Sequence, residues 1–138
     1  MTDPSAIIGH RFPAFEMTLE PGRVALFREA IGEPAQAEPG DLVPPTLLGF
    51  GFEPVPFDAL DVFGLDIARL LHAEQELIHH KPCRVGERLK GQKEITNVFE
   101  KKGGALLFVT LKLTYRDEAD ELMAESIQTL VVRQEVAA

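Results

Sequence analysis

His72 and Glu74 are the pair in this chain whose types and spacing most suggest chemistry. Successive residues of a strand face opposite ways, so in a regular strand His72, Glu74 and Glu76 share one face, and Ala73, Gln75 and Leu77 the other. An imidazole beside a carboxylate has the right types for a general base and the group that orients it. The plainer alternative is a strand-edge histidine bonded to a neighbouring backbone group. His79 and His80 adjoin Pro82 at a strand end and point opposite ways, which makes a poor metal pair. With one cysteine and scattered histidines the sequence has no recognised ligand spacing, so no metal site is expected. Cys83 stands beside Arg84, a cation that favours the thiolate, although such a cysteine is more often a small apolar residue. The sequence contains no Gly-x-Ser-x-Gly elbow, phosphate loop or dinucleotide fingerprint. That argues against serine hydrolases, nucleotide-driven enzymes and dehydrogenases, and no cofactor is expected.

The elements that must hold these groups follow from local pattern. Phe15, Met17 and Leu19 alternate with Glu16, Thr18 and Glu20, a period-2 signal for a short first strand. Pro21 suits the first position of a helix, where its missing N–H costs nothing. Val24, Phe27 and Ile31 then form one apolar stripe, with Leu26 and Ala30 at its borders. Gly32 sits where a left-handed cap is usual, so a helix is predicted over Pro21 to Ile31. Residues 33–66 carry six prolines and four glycines, too many for long regular structure. Within them, Pro45 to Phe52 is predicted to hold one or two helical turns, and Leu65 to Leu70 another short turn. Four strands are predicted near 71–80, 89–101, 105–116 and 122–133. Lys102-Gly103-Gly104 turns the second of these into the third, and Asp117 to Glu121 the third into the fourth. A helix followed by an antiparallel meander implies the α+β class.

The order of short motifs in the meander carries a family likeness. It runs Leu71-His72-Ala73-Glu74-Gln75-Glu76, then His80-Lys81-Pro82, then Arg84-Val85-Gly86-Glu87-Arg88-Leu89. The hairpin Glu100-Lys101-Lys102-Gly103-Gly104 follows, and the run ends on Leu130-Val131-Val132-Arg133. This resembles the MaoC-like dehydratases over nearly the whole chain, and most of all their N-terminal-type domain, the half that often lacks the catalytic residues. The resemblance implies a hot-dog fold, an antiparallel sheet wrapped around a short central helix, in one domain over residues 1–138. Active members carry Asp-x-Asn-Pro-x-His just after the first helix. In the register set by Gly32, Glu33 stands at the Asp position, Ala35 at the Asn, Gln36 at the Pro and Glu38 at the His. Losing histidine removes the side chain that ordinarily titrates near neutrality. The low-ranked catalytic candidates are therefore His72, Glu33 and Glu38, and none replaces the intact pattern. Pro45, Gly49, Gly51, Arg84 and Lys101 are the candidates for contact with substrate. Apolar residues near Pro45 to Phe52 would pack as core or border an acyl channel.

Composition bounds the partners. The 138 residues are 45% hydrophobic and 26% charged, the balance of an ordinary globular domain. Net charge is −8, with residues 1–80 at −9 and residues 81–138 at +1. Such acidity argues against nucleic acid as a partner. The asymmetry serves solubility, or else Lys81, Arg84, Arg88, Lys101 and Lys102 gather on one rim to meet phosphates of coenzyme A or an acidic carrier. One cysteine suits a reducing cytoplasm. Met1 to His10 lacks a signal-peptide pattern, and no apolar run approaches a membrane span. The expected function is a component of an (R)-specific 3-hydroxyacyl-thioester dehydratase or enoyl-thioester hydratase. Its ligand would be an acyl-CoA or acyl-ACP thioester. The chain would pair with itself or with a catalytic MaoC-like chain, through the predicted strand at 105–116 or its neighbours. The alternatives are a non-enzymatic acyl-thioester binding protein and a hot-dog thioesterase using Glu33 or Glu38.

Overall fold

The computed structural model describes residues 4–49 and 67–134. Strands β1 (Phe15–Thr18), β2 (Leu70–His79), β3 (Arg88–Lys101), β4 (Leu106–Arg116) and β5 (Leu122–Arg133) and the helix α1 (Pro21–Ala30) make up its regular structure. The sheet runs β1-β3-β4-β5-β2 and every neighbouring pair is antiparallel. This is the expected α+β hot-dog architecture, and each strand lies within a residue or two of its predicted bounds. One face of the sheet carries Leu113 and Tyr115 of β4. These meet Leu47 and Leu48 on the single 3-10 turn at Leu47–Gly49. That turn is the described part of the segment predicted to run from Pro45 to Phe52. Gly51 and the rest of residues 50–66 lie outside the described residues.

Alternation explains directly why these strands were legible in the sequence. Along β4 every second side chain is buried, because one face meets the core and the other does not. Bulges at Ala73, Thr96 and Met123 each insert one residue against its partner strand and sharpen the local twist. At the hairpin after β3, Lys102, Gly103 and Gly104 all adopt positive φ, which explains the two glycines.

Helix α1 opens on Pro21 as predicted and closes on Gly32, whose φ is 85°. The Gly32 N–H donates to Glu29 O and the Glu33 N–H to Arg28 O, the paired bonds that satisfy the last helical carbonyls. The predicted stripe needs correction at its end. Val24 is fully buried, but Ile31 is 46% and Leu26 69% exposed. The third position of the buried face is Arg28, one turn on from Val24.

Two corrections concern the sheet as a whole. Strand β4, predicted with its neighbours as the seam to a partner, is its centre and is hydrogen-bonded on both sides, as are β3 and β5. The free edge of any length is β2, which has no second strand partner among the described residues and is exposed from Leu71 to Glu76. The single basic rim does not form either. Arg88 begins β3 and Lys101 ends it, roughly 40 Å apart along the strand at the usual rise per residue.

Candidate functional site

Loop 33–45 is held where α1 ends. The Arg28 guanidinium donates from Nη1 to Gln36 O at 2.9 Å and from Nη2 to Leu42 O, so the loop wraps around a cation rooted in the helix. Its Nε lies 3.9 Å from the Glu33 carboxylate. The loop is then laced to the chain after β2. Val43 N–H donates to Cys83 O, Val85 N–H to Asp41 O and Gly40 N–H to Val85 O. Arg84 adds a bond from Nη1 to Gly40 O at 3.0 Å.

This lacing leaves an open cavity of about 510 Å³ between the end of α1, residues 42–48 and the end of β2. Leu42, Val43, Pro44, Pro45 and Leu48 make it largely apolar, with Pro82 and Cys83 beyond. Arg28, Glu33, His79, His80 and Lys81 supply its polar atoms. Lys81 is ion-paired with Glu121. His80 Nε2 lies 2.9 Å from Glu125 Oε1, and Lys112 Nζ lies 2.9 Å from the other oxygen of the same carboxylate. Hydrogen bonding from Lys112, then from His80, holds Glu125 below the usual carboxylate range. His79 Nε2 is 2.8 Å from Pro45 O. A carbonyl oxygen only accepts, so that ring nitrogen carries the proton.

The structure sorts the residues singled out from sequence. Glu33 and Pro45 border the cavity. Gly49 packs on β2, where a Cβ would come within 3.2 Å of Leu77 Cδ1. Glu38 is on the exposed outer part of the loop, its N–H capped by Asp41 Oδ2 at 2.9 Å, and is not among the cavity walls. Arg84 and Lys101 are not walls either: Arg84 braces the loop, and Lys101 lies 5.1 Å above the Phe108 ring at the far end of the sheet.

The pairing of His72 with Glu74 does not form. The bulge at Ala73 shifts the register between them, and His72 Nε2 instead lies 3.1 Å from Gln75 Oε1. Gln75 in turn donates to the buried Ser126 hydroxyl at 2.7 Å. Cys83 is the small, buried apolar residue that was the commoner expectation. Burial, then the nearby Glu87 charge, pushes the thiol up to about 11, so Arg84 does not activate it.

Sequence reasoning passed over Arg28, which braces the loop at the cavity, and Glu125, which holds the wall residue His80. The i,i+4 spacing from Val24 was the available signal for Arg28. Glu125 left none, because its partners Lys112 and His80 come from other strands.

A family model described as "FAS1-like, dehydratase domain region" matches residues 6–126. A UPF0336 protein of Saccharopolyspora erythraea is 33% identical over 70 residues, which is 51% of this chain and 44% of that protein. The chain thus spans less than half the length of that curated relative. Among solved structures, the C-terminally truncated HadBC (3R-hydroxyacyl-ACP dehydratase) complex of Mycobacterium tuberculosis is 20% identical at a TM-score of 0.74. That match covers 91% of this chain and 96% of the other. A MaoC-like dehydratase superposes with a TM-score of 0.76 at 17% identity, over 94% of this chain and 43% of its own. Fold, motif order and family model agree: the chain belongs to the FAS1-like dehydratase-region family and is a MaoC-like hot-dog domain.

Proposed function

We propose that this chain is the N-terminal-type, non-catalytic subunit or half of an (R)-specific 3-hydroxyacyl-thioester dehydratase, or enoyl-thioester hydratase, acting in the cytoplasm. Its cavity holds the acyl part of a coenzyme A or carrier-protein thioester. The observation that carries this reading is the cavity's composition. It is apolar over 42–48 and bordered by Glu33, while Glu38, at the position of the family's histidine, stays on the exposed loop. Glu33 faces Arg28 across 3.9 Å, an arrangement suited to holding the loop rather than to taking a proton. The free edge of β2 supports pairing of the one domain, residues 1–138, with a second hot-dog chain, identical or catalytic. An unpaired edge of ten residues is the usual template for adding a strand.

Hydration of crotonyl-CoA, followed by loss of its enoyl absorbance, tests the reading. The purified chain alone is expected to be inactive, and activity is expected when a MaoC-like chain with the intact Asp and His is added. Clear hydration by the chain alone refutes the non-catalytic role. Acyl-CoA binding without turnover, even beside the catalytic chain, would make it a plain binding protein.

A further inference from the structure

We propose that His79 determines the specificity of the cavity, selecting acyl groups that bear a hydroxyl. This rests on the acyl-thioester reading of the same cavity. The Nε2 proton of His79 is committed to Pro45 O, which leaves Nδ1 as the ring nitrogen that can accept from a ligand. No partner for that nitrogen appears among the described residues. The cationic groups of the cavity are engaged or can only donate: Arg28 Nε is buried without a hydrogen-bond partner and offers no lone pair. Arg28 Nη1 and Nη2 donate to carbonyl oxygens, Lys81 pairs with Glu121, and Glu33 faces Arg28.

His80 does not share the position. Along β2, Gln75 and Leu77 lie on the face that meets Gly49, and His79 follows on that side against Pro45. His80 turns instead to Glu125, on the opposite face with Lys112. His79 therefore stands beside the apolar walls at Pro45 and Leu48 with a lone pair to offer. An acyl chain with a hydroxyl can donate to it, whereas a saturated or enoyl chain cannot. Being tied to a backbone carbonyl of the cavity wall, the ring is oriented before any ligand arrives.

Equilibrium binding of two probes of equal chain length, 3-hydroxybutyryl-CoA and butyryl-CoA, tests this on the full chain. The wild-type chain is expected to favour the hydroxyacyl ligand roughly three- to tenfold, the usual net worth of one hydrogen bond. His79→Phe keeps the ring shape without either nitrogen, and His79→Leu removes the ring and both nitrogens. Both are expected to bring the ratio near one while butyryl-CoA binding stays within about twofold of wild type. His10→Gln, outside the cavity walls, should leave the ratio intact. A wild-type ratio near one, or a preference that survives His79→Phe, overturns the assignment and leaves the acyl-thioester reading standing. Failure of the wild-type chain to bind either probe overturns that reading, and the role of His79 with it. The wild-type ratio decides the matter even if a variant does not fold.

Discussion

Gly91 of β3 lies directly opposite Phe15 of β1. The Phe15 ring occupies the place of the missing side chain: a Cβ on residue 91 would stand 2.4 Å from Phe15 Cζ and under 3.0 Å from both Cε atoms. No φ in the left-handed region demands glycine at this position, so the demand comes from the ring alone. Phe15 is 9% exposed and meets Tyr115 edge-on at 6.5 Å between centroids, so it pins the short β1 to the core. Gly91→Ala must displace that ring. Overpacking of this kind costs about 1–3 kcal/mol, which outweighs the roughly 0.5–1 kcal/mol that alanine gains over glycine in a strand interior. The net expectation is a loss of about 1–2 kcal/mol, seen as a lower urea midpoint at unchanged slope. In a Phe15→Ala background the clash is gone, and the same change should stabilise by about 0.5 kcal/mol. A double-mutant cycle by urea unfolding therefore predicts a reversal of sign. Additive effects, with Gly91→Ala costing the same in both backgrounds, would refute the packing argument.

Glu125 has its folded pKa lowered by Lys112 and His80, so its stabilisation is present above the unfolded value near 4.5 and lost as pH falls through the folded value. Glu125→Gln should cost about 1 kcal/mol at neutral pH, and the gap to wild type should close in urea melts below pH 4.5. Native Cys83 should resist a thiol reagent at pH 8 and react at once in denaturant, because burial holds its pKa near 11; equal rates in both states would contradict its placement. Tyr115→Phe removes the bond from its hydroxyl to Leu48 O, 3.3 Å away in the core, and should lower stability by about 1 kcal/mol without loosening the sheet, as read by thermal melts.

The strands and the helix were legible because their signals are local. The alternation around Val109 to Tyr115, the Lys102-Gly103-Gly104 turn and the Pro21 and Gly32 helix ends each act over a few residues. What failed depended on strands meeting at a distance. The His72–Glu74 pair assumed a regular strand, and one bulged residue at Ala73 removed it. The basic rim assumed that cations near in sequence order lie near in space, yet β3 carries them to opposite ends of the sheet. The partner seam was placed on the strand at 105–116 or its neighbours without the strand order, which puts β4 in the middle and pairs β3 and β5 on both sides. For Cys83 the commoner reading of a small apolar residue held, since burial outweighs the neighbouring cation. The likeness to an Asp-x-Asn-Pro-x-His motif located the loop, and the fold then put Glu33 at a cavity and left Glu38 outside it.

The chain has four histidines, and two of them, His79 and His80, border the cavity. Histidine-selective NMR during titration with an acyl-CoA therefore reads occupancy of this site directly. Shifts at His79 and His80, with His10 and His72 unmoved, are what the account predicts. Saturating ligand that moves only His72, or leaves all four signals in place, would contradict it.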